Sequence, residues 1–112
     1  MDFSTEKHGD VVVLSLQGDV LDADNSQEFK KDIASVLESN KKVVFDMRTM
    51  RFIDSSGCGA LLSCVRKLKN SEGDLKLFGL SEQVRSLFQI IRLDQILDIF
   101  DTKEEAVKAF ES

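Results

Sequence analysis

Asp54-Ser55-Ser56-Gly57 is the stretch of this sequence best equipped for chemistry. It precedes a run in which Cys58, Leu61, Leu62, Val65 and Leu68 fall at i, i+3, i+4, i+7 and i+10, one face of a helix. Asp or Ser ahead of such a run marks a helix start, because its side-chain oxygen accepts an orphan backbone N–H. Two hydroxyls would then stand beside a helix N-terminus, whose free N–H groups and dipole favour an added anion. That is a good place to carry a phosphate. Capping and turn formation alone would also account for these residue types, with Ser56 the better cap of the two serines. The flanks add a reason to look further. Phe52-Ile53 before the serines, and Gly57, Gly59 and Ala60 after them, leave room for another protein's surface to come close to the backbone.

Other reactive residues are thinly spread. His8 is the single histidine and lies far in sequence from Cys58 and Cys64, so no nucleophile–base constellation assembles and no catalytic residue is assigned. The two cysteines are six apart on one helix, too far for a disulfide and matching no metal motif; free thiols of this kind suit a reducing cytosol. Asp19, Asp22 and Asp24 crowd one loop. Calcium loops need a regular ligand spacing and a matching Glu, so this segment reads as a loop leading into a helix cap. Neither a metal nor a cofactor is expected.

The elements that must position Ser55 and Ser56 follow from patterning. Phe3 to Lys7 and Val11 to Gln17 read as a hairpin turned at Gly9-Asp10, with Val12, Leu14 and Leu16 on one face. After the acidic loop from Gly18 to Asn25, Phe29, Ile33, Val36 and Leu37 form the apolar stripe of a helix closed by Ser39-Asn40. Val43 to Phe45 is a short strand ahead of Met50, Phe52 and Ile53, and the central helix ends near Asn70. Leu75 to Leu80 is a strand with Lys76 on its less buried side. Ser81 caps a helix with Val84, Leu87, Phe88 and Ile91 on one face, Ile96 to Phe100 is a last strand, and Thr102 and Glu105 form a capping box for a final helix through Phe110. Strands alternating with single helices imply parallel pairing through right-handed crossovers. Strands in sequential order then put every helix on one face, matching the one-sided apolar pattern.

The 112 residues make one domain of ordinary size, 1–112, able to bury a core without staples. A net charge of −5 argues against nucleic acid, and Arg66, Lys67 and Lys69 fall in a helix's last turn, where cations complement the dipole. Tyr, Trp and Pro are absent, which disfavours aromatic stacking platforms for ligands. MDFSTEKHGD has no apolar core of signal-peptide length, and no run approaches a membrane span. A cytoplasmic protein with no membrane partner is expected.

These residues together resemble a family. Met50-Arg51-Phe52-Ile53-Asp54-Ser55-Ser56-Gly57-Cys58-Gly59 is similar to the phosphorylation site of bacterial anti-sigma-factor antagonists, the free-standing form of the STAS domain. Gly18-Asp19-Val20-Leu21-Asp22 resembles their Gly-x-hydrophobic-Asp segment with one extra apolar residue, making Asp22 the counterpart; Asp46 and Ser86-Leu87-Phe88 agree more weakly. The resemblance implies a STAS fold, a mixed and mainly parallel sheet with helices packed mainly on one face. It also implies a partner switch. The unmodified antagonist binds an anti-sigma factor that is also a serine kinase of the histidine-kinase-like ATPase type, releasing a sigma factor. Phosphorylation, at Ser55 by position with Ser56 as runner-up, weakens that binding, and a metal-dependent serine phosphatase reverses it. Asp22, Met50, Phe52, Asp54, Ser55, Ser56, Gly57, Gly59 and Ala60 would meet the partner, Leu61 being an alternative to Ala60 for apolar contact. The free protein is expected to be a monomer.

Two other readings compete. The same fold serves as a scaffold or accessory subunit in secretion, biofilm or lipid-transport circuits. A phosphoaspartate receiver could use Asp46 at a strand end, but it would want an acidic pair and a lysine after a late strand, and Lys76 lies inside its strand.

Overall fold

A computed structural model describes residues 1–111. The main sheet has five strands in the order β1-β2-β4-β6-β7. β1 (Phe3–His8) and β2 (Val11–Leu16) pair antiparallel, with Gly9 at a φ of 65° in the turn, a conformation an L side chain would resist. β4 (Lys42–Asp46), β6 (Asp74–Phe78) and β7 (Asp98–Phe100) add in parallel. A separate two-residue pair joins β3 (Val20–Leu21) to β5 (Phe52–Ile53).

Register explains the core. Val12, Val43 and Leu75 lie in one row across the sheet, and Leu14, Phe45, Leu77 and Ile99 in the next. These rows face the crossover helices α1 (Ser26–Ser39), α2 (Ser55–Asn70) and α3 (Glu82–Ile90). From α1, Phe29, Ile33 and Leu37 are buried at i, i+4 and i+8, and the Phe29 ring meets Phe45 edge-on at 6.2 Å. Cys58, Leu61, Cys64, Val65 and Leu68 are the buried stripe of α2.

The expectation that every helix shares one face holds for the three crossovers and fails for α4 (Lys103–Lys108). The crossovers are bound to one side because each returns to the next strand of a sequential sheet. α4 follows the last strand, makes no crossover, and folds onto the opposite face. There Ala106, Val107 and Phe110 cover Val11, Val13, Val44 and Phe78. Lys76 is therefore buried rather than half-open: its Nζ bonds Asp98 at 2.9 Å and lies 4.7 Å from the centre of the Phe110 ring. The capping box of Thr102 and Glu105 is formed as the sequence predicts. The last strand is shorter than expected, because Leu93–Gln95 make a 3-10 turn and Ile96 and Leu97 belong to its exit.

Candidate functional site

Ser55 and Ser56 are the first two residues of α2, and both are exposed. Neither hydroxyl has a hydrogen-bond partner among the described residues. The cap is Asp54, not Ser56: its extended backbone precedes the helix, and Oδ1 accepts the Gly57 N–H at 2.9 Å. A carboxylate one residue earlier already reaches that orphan donor, which leaves both serines inside the first turn with open hydroxyls.

The second oxygen of Asp54 is also engaged. Oδ2 accepts the backbone N–H of Ala23 at 3.0 Å, tying the start of α2 to the acidic loop. The β3–β5 pair brings these segments together, supported by bonds from the Arg51 and Phe52 N–H groups to the Asp19 carbonyl and from the Asp54 N–H to the Leu21 carbonyl. Gly57 allows the close fit. A Cβ at this position would strike the Leu21 carbonyl oxygen and the Ile53 side chain. In the loop, the Asp22 N–H donates to Asn25 Oδ1 at 2.9 Å, Asp22 Oδ1 accepts the Asp24 N–H at 3.0 Å, and Asn25 Nδ2 donates to the Val20 carbonyl at 2.8 Å. Asn25 and the Ala23 amide were invisible to sequence reasoning. Only an Asx residue in a turn-rich segment hinted at the first, and nothing local hinted at the second.

Phe52 (55% exposed), Ser55, Ser56 and Gly59 are open to solvent, and Asp22 and Asp54 are half-buried beside them. Met50, Gly57, Ala60 and the alternative Leu61 do not join it. Met50 is 1% exposed because the turn closed by its N–H on the Met47 carbonyl folds both methionines into the core. Ala60 and Leu61 lie on the face of α2 turned to the sheet. Their side chains give a partner no area.

Neither thiol is activated. Burial pushes the Cys58 thiol up, with a smaller push from the Asp54 charge, and burial takes Cys64 up to about 12. Asp46 ends β4 as expected but is clasped by Arg48, whose Nη2 bonds Oδ2 at 2.8 Å and whose Nε and backbone N–H both bond Oδ1 at 3.0 Å; Ser15 Oγ donates at 3.1 Å. Burial raises its carboxyl pKa, but the bonds from Arg48 and Ser15 outweigh burial and leave it below the usual carboxylate range.

An exposed serine thus stands at a helix start joined to an acidic loop, and the STAS domain family matches residues 2–106. The chain belongs to the STAS domain family. This places Asp46 outside the receiver reading, since its carboxylate serves the sheet end of a STAS domain. Among similar proteins, BtrV of Bordetella bronchiseptica is 26% identical over 113 residues, covering 100% of this chain and 97% of BtrV. The anti-sigma-B factor antagonist of Bacillus subtilis is 25% identical over 97 residues, 87% of this chain and 88% of its own. The solved structure of the anti-sigma factor antagonist SpoIIAA in its unphosphorylated form is similar to this STAS domain with a TM-score of 0.70 at 25% identity, covering 99% of both chains. SpoIIAA has also been solved phosphorylated, with the same TM-score at 26% identity over 97% of this chain and 99% of its own. Among the described residues of this STAS domain, no helix is long and apolar enough to cross a membrane.

Proposed function

We propose that this STAS domain is a partner-switching regulator of the cytoplasm rather than an enzyme. In its unmodified form it binds an anti-sigma factor that is also a serine kinase, of the histidine-kinase-like ATPase type, and so releases a sigma factor. The kinase phosphorylates Ser55, which weakens the complex, and a metal-dependent serine phosphatase restores it. One observation carries this reading: the Ser55 hydroxyl is open at the first position of α2 while the neighbouring Asp54 has one oxygen bonded in capping and the other bonded to the loop. The names of the relatives, antagonists of anti-sigma factors, support it at the level of the family.

Phosphate adds about −1.5 to −2 charge and three strong acceptors. At Ser55 it would stand beside Asp54 and the loop of Asp19 and Asp22. In the free protein the N-terminus of α2 offsets part of the repulsion. A partner packed over Ser55 and Gly59 must bury that charge, and a penalty of only about 1.4 kcal/mol lowers affinity tenfold. No refolding is required.

The test is capture from native lysate with Ser55→Ala and Ser55→Asp proteins, with Ser56→Ala as the control for the neighbouring serine. The Ser55→Ala and Ser56→Ala forms should retain a histidine-kinase-like ATPase that the Ser55→Asp form loses. Equal recovery by both Ser55 variants would remove the role given to Ser55.

A further inference from the structure

Four large apolar side chains stand out in solvent among the described residues: Phe52, Ile90, Ile91 and Ile96, at 55%, 78%, 46% and 60% exposure. Single exposed apolar residues are ordinary, but these are not scattered. Phe52 lines a shallow cavity of about 190 Å³ with Arg51, Ile53, Gln83, Val84 and Leu87. Gln83, Leu87 and Ile90 follow at i, i+4 and i+7, so Ile90 continues the Leu87 side of α3 past the cavity. Ile91 stands at the end of the helix, and Ile96 leaves the turn that follows.

Charge and backbone point the same way. The ledge is bracketed by Arg51, before Phe52, and Arg92, after Ile91. Arg48 and Arg85 are paired with Asp46 and Asp101, whereas the guanidiniums of Arg51 and Arg92 have no counterion among the described residues. Asp94, two residues past Arg92, does not bond it. Arg92 also has a φ of 65°, the left-handed conformation that favours Gly or Asn at a helix end. A strained, unpaired arginine beside unpartnered isoleucines is a poor choice for the free fold, and strain of this kind collects at surfaces that bind.

We infer that the ledge from Phe52 along α3 to Ile90, Ile91 and Arg92 docks an apolar segment flanked by carboxylates, carried by the same partner protein whose binding Ser55 controls. This rests on the function proposed above. The continuity is short: Phe52 is three residues from Ser55, so their Cα atoms are within about 11 Å. The ledge adds to the contact around Ser55, so a phosphate there weakens the complex as a whole while the ledge sets part of its strength.

The probe is the purified kinase identified by the Ser55→Ala capture, titrated calorimetrically into the full-length protein. Ile90→Ser/Ile91→Ser should weaken binding about tenfold or more with the fold intact by circular dichroism. Arg92→Gly should raise the thermal midpoint by relieving the backbone, yet weaken binding. A joint loss with Ser55→Asp close to the product of the separate losses would show that the two contacts are independent. Binding by both ledge variants within twofold of wild type, while Ser55→Asp still weakens it, would overturn the ledge and leave the switch standing. Indifference of the kinase to Ser55 would instead remove the switch, and this inference with it. Sedimentation showing a dimer of the free chain that Ile90→Ser/Ile91→Ser dissolves would also overturn it, assigning the ledge to a second copy.

Discussion

Asp54 holds two segments with one carboxylate: Gly57 on its own helix, and Ala23 thirty-one residues away. The sequence announced the first as a cap, which is local, but favoured Ser56 where Asp54 serves. It could not show the second, because the donor is a backbone amide whose position depends on the β3–β5 pairing. Asp46 is a second fixed carboxylate, and its pH behaviour can be predicted. Because its pKa is depressed on folding, its stabilising contribution is complete above the ordinary carboxylate range and is lost as pH falls through the folded value. Asp46→Asn should therefore lower the thermal midpoint at neutral pH, and the gap from wild type should close below about pH 4. A gap that stays constant down to pH 2 would mean the Arg48 clasp adds no stability through the charge of Asp46.

Among the elements, α2 is positioned by what it lacks. Gly57 brings its first turn against Leu21 closely enough to exclude a methyl group. Gly57→Ala should cost about 1–3 kcal/mol in urea unfolding, more than the small effect usual for alanine at an open helical position. The displaced helix start should also draw Asp54 away from Ala23, seen as a shift of the Ala23 amide resonance. An unchanged unfolding midpoint would show that the loop yields freely. The long helices and central strands were legible because each carries a full period of apolar residues, as Phe29, Ile33 and Leu37 do. β3 and β5 were not, since two residues hold no period and their stability comes from a partner distant in the chain. The candidate site divides the same way. Phe52, Ser55 and Ser56 were readable as accessible, but Met50 and Ala60 are apolar or small enough for either side, and only packing assigns them to the core.

For the whole molecule, the two faces of the sheet are covered on different terms. Three helices are tied into one face by crossovers, while the other depends on α4 and the residues after it. Truncation after Asp101 should lay open Val11, Val13, Val44 and Phe78 and cost about 3 kcal/mol or more, at about 1.5–3 kcal/mol for each side chain fully uncovered. Dye binding to exposed apolar surface and concentration-dependent association should accompany the loss. A truncated chain that stays monomeric and keeps its midpoint would show that the back of the sheet is stable without its cover. Phe110, whose ring lies over the Lys76 ammonium, is the single contact in that layer most worth deleting as a finer test.

The strand order β1-β2-β4-β6-β7 never reverses. In open α/β sheets the crevice that takes a small molecule opens where consecutive connections leave in opposite directions, parting two loops at the strand ends. Here every connection steps the same way, so the sheet has no such parting, and Ser55 stands exposed at the first position of α2. An exposed site without a crevice is suited to being grasped, and recognition of this kind asks the visitor to bring the hollow.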